Sequence, residues 1–252
     1  MRVRLRFAKL GKLRWTSHRD VARMWERAFR RVRLPLAYTE GFSPRPRVSF
    51  GLALSTGHES VAEYLDLELR IGAAGNGWAG SQIEVDALPA ELSAALPVGL
   101  DVLAVAVVDD RANSLQEDVT SCTWRVEVAG SLGSDGVAAC VERALAAESL
   151  VITRQRKGQP VTDDVRPAIL AVRLAGLGPS GLPVLECDLA TQPRGLRPSE
   201  FLLAVHPELE EANVRRLYQW IERDGARQEP LPLLVDATDA PCTEPAQVVR
   251  AG

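Results

Sequence analysis

The sequence predicts an α+β fold built from two ferredoxin-like (split βαβ) halves with antiparallel-rich sheets. Three observations lead there. Segments of period-two hydrophobicity alternate with a few segments of helical period. Over the first 108 residues their order is strand, helix, strand, strand, helix, strand, which is the split βαβ order. A similar pattern partly recurs after residue 119, without a close sequence repeat. The expected division is a basic ferredoxin-like domain over 1–108, a second α/β domain over 119–225 and a loosely ordered tail over 226–252. With 252 residues, 46% of them hydrophobic, the chain can bury a real core, in one large domain or two ordinary ones.

Val3, Leu5 and Phe7 alternate with Arg2, Arg4 and Arg6, which predicts a strand with one apolar and one basic face. A helix is predicted over about 17–33. Ser17 has N-cap chemistry, with Asp20 three residues on at capping-box spacing. Val21, Met24, Trp25, Ala28 and Val32 then form an apolar stripe, with Arg19, Arg23, Arg27, Arg30 and Arg31 largely outside it. Pro35 ends the helix and pushes Leu34 toward an extended conformation. Gly41, Pro44 and Pro46 make a stiff turn.

Strands follow over about 48–52 and 61–70, the second alternating Leu65, Leu67 and Leu69 with Asp66, Glu68 and Arg70. Residues 71–80 read as a Gly- and Ala-rich connector, without the lysine and following hydroxyl residue of a phosphate loop. A short helix over 86–95 is stopped by Pro97 and Gly99 and leads to a buried apolar strand over 102–108.

Residues 109–118 are polar and aperiodic, a linker. Beyond it, strands are predicted over 122–129, 150–155, 168–174 and 183–190. Helices are predicted over 137–147 and 198–205, the latter opening with Pro198 near its first position. Residues 156–158 form a basic turn, and 215–221 fit a strand or a helix. From Gln228 onward, four prolines and little periodicity point to a loose tail.

Charge is strongly segregated. Residues 1–50 hold fourteen Arg and Lys against Asp20, Glu26 and Glu40, a net of +11 in a chain of −3. A solvated surface usually mixes its signs, so this stretch is expected to face a polyanion, RNA above all. The same arginines would also sit comfortably on a solvated helix face. No run approaches membrane-spanning length and the N-terminus lacks a signal peptide's apolar block. The expected compartment is the cytoplasm, with no membrane partner. Cys122, Cys140, Cys187 and Cys242 are scattered and read as small core residues, and no metal or cofactor is expected.

The candidate nucleic-acid-binding set is Arg14, Ser17, His18, Arg19, Arg23, Arg27, Arg30, Phe42, Arg45 and Arg47. Phe42, in its proline-bracketed turn, either stacks on a base or plugs the core; Trp15 and Tyr38 pose the same choice. His18, at a helix start beside arginines, is the one catalytic candidate. It would act as general base on a ribose hydroxyl, or simply pack or bind. No second His or Lys is placed by the sequence to serve as the acid. The adjacent pairs Asp109–Asp110 and Asp163–Asp164 read as solvated loops rather than metal sites. Arg166, Arg194 and Arg197 either extend the basic face or hold carboxylates such as Glu200.

One run carries a family resemblance: Arg14, Ser17, His18, Asp20, then Leu34-Pro35, Gly41-Phe42-Ser43-Pro44, Pro46, Ser49 and Phe50. Glu63, Asp66, Leu69, Leu96-Pro97, Gly99, Val165-Arg166-Pro167 and Arg197-Pro198-Ser199-Glu200 add to it. The chain resembles the radical SAM-linked protein family over most of residues 1–220. This is a bacterial domain of unknown function, attached to the C-terminal side of a B12-binding-type radical SAM protein or encoded separately. The resemblance implies a radical SAM partner protein. The chain lacks the three closely spaced cysteines that such a partner's iron–sulfur cluster needs, so radical chemistry is not assigned to it. The layout of the first half also looks like the RNA-binding repeat proteins that process CRISPR transcripts, a likeness of fold alone. The expected function is therefore an RNA-binding or substrate-presenting module beside a radical SAM or RNA-processing enzyme. The alternatives are a metal-independent ribonuclease centred on His18 and a protein adaptor that docks a radical SAM partner.

Overall fold

One sheet runs through both halves of the chain. The computed structural model describes residues 1–70, 84–156 and 158–231. In chain order its elements are β1 (Arg2–Lys9), α1 (His18–Arg31), β2 (Val48–Phe50), β3 (Glu59–Glu68), α2 (Leu88–Ala95), β4 (Leu100–Val108) and α3 (Leu115–Asp118). Then come β5 (Val119–Ala129), α4 (Ser134–Ala146), β6 (Val151–Arg156), β7 (Gln159–Asp164), β8 (Ile169–Leu177), β9 (Pro183–Ala190), α5 (Pro198–Val205), β10 (Glu210–Arg223) and β11 (Ala226–Gln228). The strand order is β4-β1-β3-β10-β5-β9-β8, with β2 beside β3 and β11 beside β10, while β6 and β7 form a separate hairpin. The fold is α+β with a mostly antiparallel sheet, as the alternation predicts. In each half the last strand lies against the first and the first against the third, which is compatible with the split βαβ pattern.

The junction between the halves is β3 against β10, the one parallel pairing in the sheet among the described residues, joining Glu59 to Arg215 and Ser60 to Arg216. The C-terminal part of β3, Leu65 to Leu67, instead pairs with β2. So brief a backbone match leaves much of the junction to side chains. Arg215 holds Glu59 at 2.7 Å, Arg216 holds Glu63 at 2.9 Å, and the Gln219 amide donates to the Ala62 carbonyl at 2.6 Å.

Helices α1 and α2 cover Val3, Leu5, Phe7, Leu65 and Leu67 in one apolar core. Helices α4 and α5 cover β5 and β9 in a second, which Ala62 and Tyr64 of β3 also join. Strand β3 is therefore buried on both faces, and its carboxylates need partners.

Several expectations change. The basic face of β1 is not a surface: Arg4 and Arg6 are buried, Arg2 and Arg4 converge on Asp66 at 2.6 and 2.7 Å, and Arg6 holds Glu229 at 2.6 Å. The predicted linker over 109–118 contains α3, capped by Ser114 and Glu117, and its Leu115 is buried. The strand over 102–108 lies at the edge of the sheet, leaving Val107 half exposed, rather than buried. The ambiguous 215–221 is the middle of β10, a 14-residue strand. The start of the expected tail is tied down, since Ala226–Gln228 pairs with β10 and Glu229 holds Arg6. Asp163 and Asp164 are not in a solvated loop but at the end of β7. Asp163 pairs with Arg194 and Arg154, and Asp164 accepts the N–H groups of Leu150 and Arg166. The connector over 71–80, Lys157 of the basic turn, Cys242 and the tail beyond 231 lie outside the described residues. Among the described residues no helix is long and apolar enough to cross a membrane.

Candidate nucleic-acid interface

Helix α1 starts where its cap chemistry dictates. The Ser17 side chain accepts from the Asp20 N–H at 3.2 Å and donates to the Asp20 carboxylate at 2.7 Å. That bond, with Arg23 beside it, holds the Asp20 carboxyl below the usual carboxylate range. Val21, Trp25, Ala28 and Phe29 are buried, and Trp25 meets Phe7 edge-on at 5.0 Å. The helix ends before Pro35, with Arg33 in the left-handed conformation (φ 53) and the Leu34 N–H on the Phe29 carbonyl, a Schellman-type closure.

The stripe turns the cations outward. Arg19, Arg23, Arg27, Arg30, Arg31 and Arg33 are all exposed. Arg23 touches Asp20 at 3.3 Å and Arg30 touches Glu26 at 3.5 Å; exposed pairs like these contribute about 0–1 kcal/mol and are easily given up. Arg19 and Arg27 have no carboxylate partner among the described residues.

The segment after α1 runs out and back. Tyr38 pairs with Pro46, and Thr39 and Arg45 exchange bonds through backbone and hydroxyl. Phe42 sits at the tip of this excursion and is wholly exposed, so of its two readings the core plug is excluded. Arg45 and Arg47 are exposed as well, the latter 3.0 Å from Glu68. A groove separates the excursion from α1, lined by Phe29, Arg30, Arg33, Tyr38, Pro44 and Pro46, with Glu26 at its side. Phe42 is not among its lining residues.

A second cluster lies at the N-terminal end of α1. Arg14 is half-buried, its guanidinium 5.2 Å from the Trp15 ring and 3.4 Å from Asn213. Trp15 is 64% exposed and rests on Gly57. Gly57 has φ +93, and a Cβ there would come within 3.1 Å of the indole, so the loop and the ring fit only with glycine. Ser17 is exposed, and His18 is exposed with its ring edge-on to Phe50 at 5.1 Å.

The structure also brings Lys9, Glu63 and Tyr64 into a small cavity beside His18. Sequence reasoning missed this group. Lys9 is the last residue of β1, yet it is 3% exposed and its Nζ donates to the carbonyls of Arg14 and Thr16. Burial lowers its pKa, opposed by the Glu63 charge. The cavity holds about 20 Å³, room for one water and not for a ribose phosphate. The carboxylates inside otherwise apolar β3 were the available signal: buried acids imply buried cations.

The second half contributes less to this face. Arg166 donates to the carbonyls of Leu145 and Ile169, which ties α4 to β8. Arg194 pairs with Asp163, and Glu200 is held by the Arg154 side chain and the Arg197 backbone N–H rather than by the Arg197 guanidinium. Among the described residues no group of three or more His, Cys, Asp or Glu is placed to hold a metal ion.

Comparison with known proteins adds a family and no activity. No curated protein matches the chain. Residues 2–198 match the family described as "Uncharacterized protein conserved in bacteria (DUF2344)", and the chain belongs to that bacterial family.

Proposed function

We propose that the protein is an RNA-binding or substrate-presenting module working in the cytoplasm beside a radical SAM or RNA-processing enzyme, with residues 1–108 as the RNA-facing domain and 119–225 as its support. The observation that carries this reading is the wholly exposed Phe42 ring, at the tip of the excursion that follows a helix whose Arg19, Arg23, Arg27 and Arg30 are all exposed. Exposed aromatic rings give bases a surface to stack on, and cations track the phosphates. An aromatic ring at a loop tip, exposed with no neighbour to pack against among the described residues, adds little to the stability of the fold they form.

The ribonuclease alternative is weaker. Lys9 would be the missing acid next to His18, but it is buried and tied to two carbonyls, and the cavity they share admits one water. A protein adaptor would use the same arginines against an acidic partner.

The test is a salt series with single-stranded and structured RNA. Parent protein should lose affinity steeply with salt through counterion release. Arg23→Ala with Arg27→Ala should lower the salt slope by about two units if each meets one phosphate, with circular dichroism confirming the fold. A folded double variant that matches the parent across the series defeats the RNA reading of this face and favours the adaptor.

A further inference from the structure

We propose that the cleft between the two halves binds a phosphomonoester, the terminal phosphate of a nucleotide or of an RNA end. The cleft lies where the loop over 52–56 faces β5, the segment over 191–198 and β10, and its polar wall is Ser55, Thr56, Thr191, Arg197 and Arg216, with Trp124 alongside. Its volume is about 610 Å³, within the roughly 300–1,000 Å³ typical of small-molecule sites.

The charge of the lining selects an anion. Two arginines and no carboxylate contribute to it. The nearby acids are already engaged: Glu63 by Arg216, and Glu200 by Arg154 and the Arg197 N–H. Arg197 is exposed, and its guanidinium has no ion-pair partner among the described residues. Arg216 is 2% exposed. Its Nη atoms donate to Leu52, Ala53 and Glu63, its plane lies 4.7 Å from the Trp124 ring centre, and its Nε has no partner among the described residues.

Donor type then selects phosphate. The Arg197 guanidinium, without an ion-pair partner among the described residues, and the exposed hydroxyls of Ser55 and Thr56 offer several donors of different geometry, which suits a tetrahedral, doubly charged oxyanion. Trp124 also borders the cleft, itself buried and with the Arg216 guanidinium over its ring.

Position explains why an end is the natural RNA source. Leu52 and Leu54 line both this cleft and the small cavity beside His18, and Trp15 rests on Gly57, next in the chain to Thr56. A strand following the α1 arginines toward the helix start passes His18 and Trp15 and arrives at the cleft. Only this RNA-end source rests on the function proposed above; binding of a free nucleotide stands without it.

The test measures affinity by calorimetry for nucleoside 5′- and 3′-monophosphates and the parent nucleosides, and by anisotropy for one oligonucleotide with a 5′-phosphate, a 3′-phosphate or hydroxyl ends. Monophosphates should bind and nucleosides should not. Arg197→Ala, at an exposed position, should weaken monophosphate binding about tenfold or more, Arg197→Lys should restore part of it, and the Arg23→Ala with Arg27→Ala variant should leave it unchanged. Preference for a phosphorylated oligonucleotide end that disappears in Arg197→Ala supports an RNA end; monophosphate binding without end preference supports a free nucleotide. Equal affinity of parent and folded Arg197→Ala for every phosphorylated probe, or no binding of any, overturns the proposal. Loss of oligonucleotide binding in the α1 variant with monophosphate binding intact would separate the two sites.

Discussion

The arginines of α1 and those of β1 are the same residue type at similar density, and they have opposite fates. Arg19, Arg23, Arg27 and Arg30 stand in solvent with weak partners or none among the described residues. Arg4 and Arg6 are 4% and 1% exposed and end on carboxylates brought from far along the chain, Asp66 and Glu229. The difference lies in their surroundings. A helix on the surface has one covered side, so its cations face water. A strand in the middle of a sheet covered on both faces has no wet side, so each of its cations must find an anion. A basic run in a sequence therefore counts charge without saying which charges meet a ligand.

The comparison makes ordered demands on experiment. The largest effect is expected at Asp66, because Asp66→Ala strands Arg4 in the interior and removes the carboxylate partner of Arg2. It should cost about 3–5 kcal/mol of stability, measured by denaturant unfolding. A loss under 1 kcal/mol would mean that water reaches this pair and that the contrast with α1 is overdrawn.

Phe42→Ala comes next and acts on another axis. It should weaken single-stranded RNA binding by about 1–3 kcal/mol if the ring stacks on a base, with the salt slope and the melting temperature unmoved. A fall in melting temperature would show that the ring packs against something in solution.

On the cationic side, Arg23→Ala with Arg27→Ala should change stability by less than about 0.5 kcal/mol while reducing the salt slope of binding. That is the reverse of the Asp66 pattern.

The smallest effect belongs to Asp20. Its carboxyl is held below the ordinary value, chiefly by the Ser17 hydroxyl and then by Arg23, so its contribution is present above the unfolded carboxylate pKa and is lost as pH falls through the folded one. Parent and Asp20→Asn should differ in melting temperature at neutral pH and converge in acid. Curves that stay parallel from neutral pH to pH 2 would show that the carboxylate charge plays no part in the cap.

Much of the fold was legible because it depends on local pattern. The Val3-Leu5-Phe7 and Leu65-Leu67-Leu69 alternations, the Ser17 cap, the stop at Pro35 and Pro198 at a helix start are decided within a few residues, and each appears close to where the sequence places it. The exposed side of α1 was legible for the same reason, since steps of three and four return to one face. What required the tertiary structure is everything that depends on what lies across the sheet. Whether Arg2, Arg4 and Arg6 meet solvent is settled by Asp66 and Glu229, 62 and 223 residues away for the nearest pairs. Lys9 joins His18 only because β1 and the start of α1 close over β3, and the cleft floored by Arg216 exists only because β10 returns to pair with β3. Helix periodicity is a property of neighbours in the chain. The partner of a buried charge is set by strand register, and a one-residue change of register would turn every side chain of that strand to the other face.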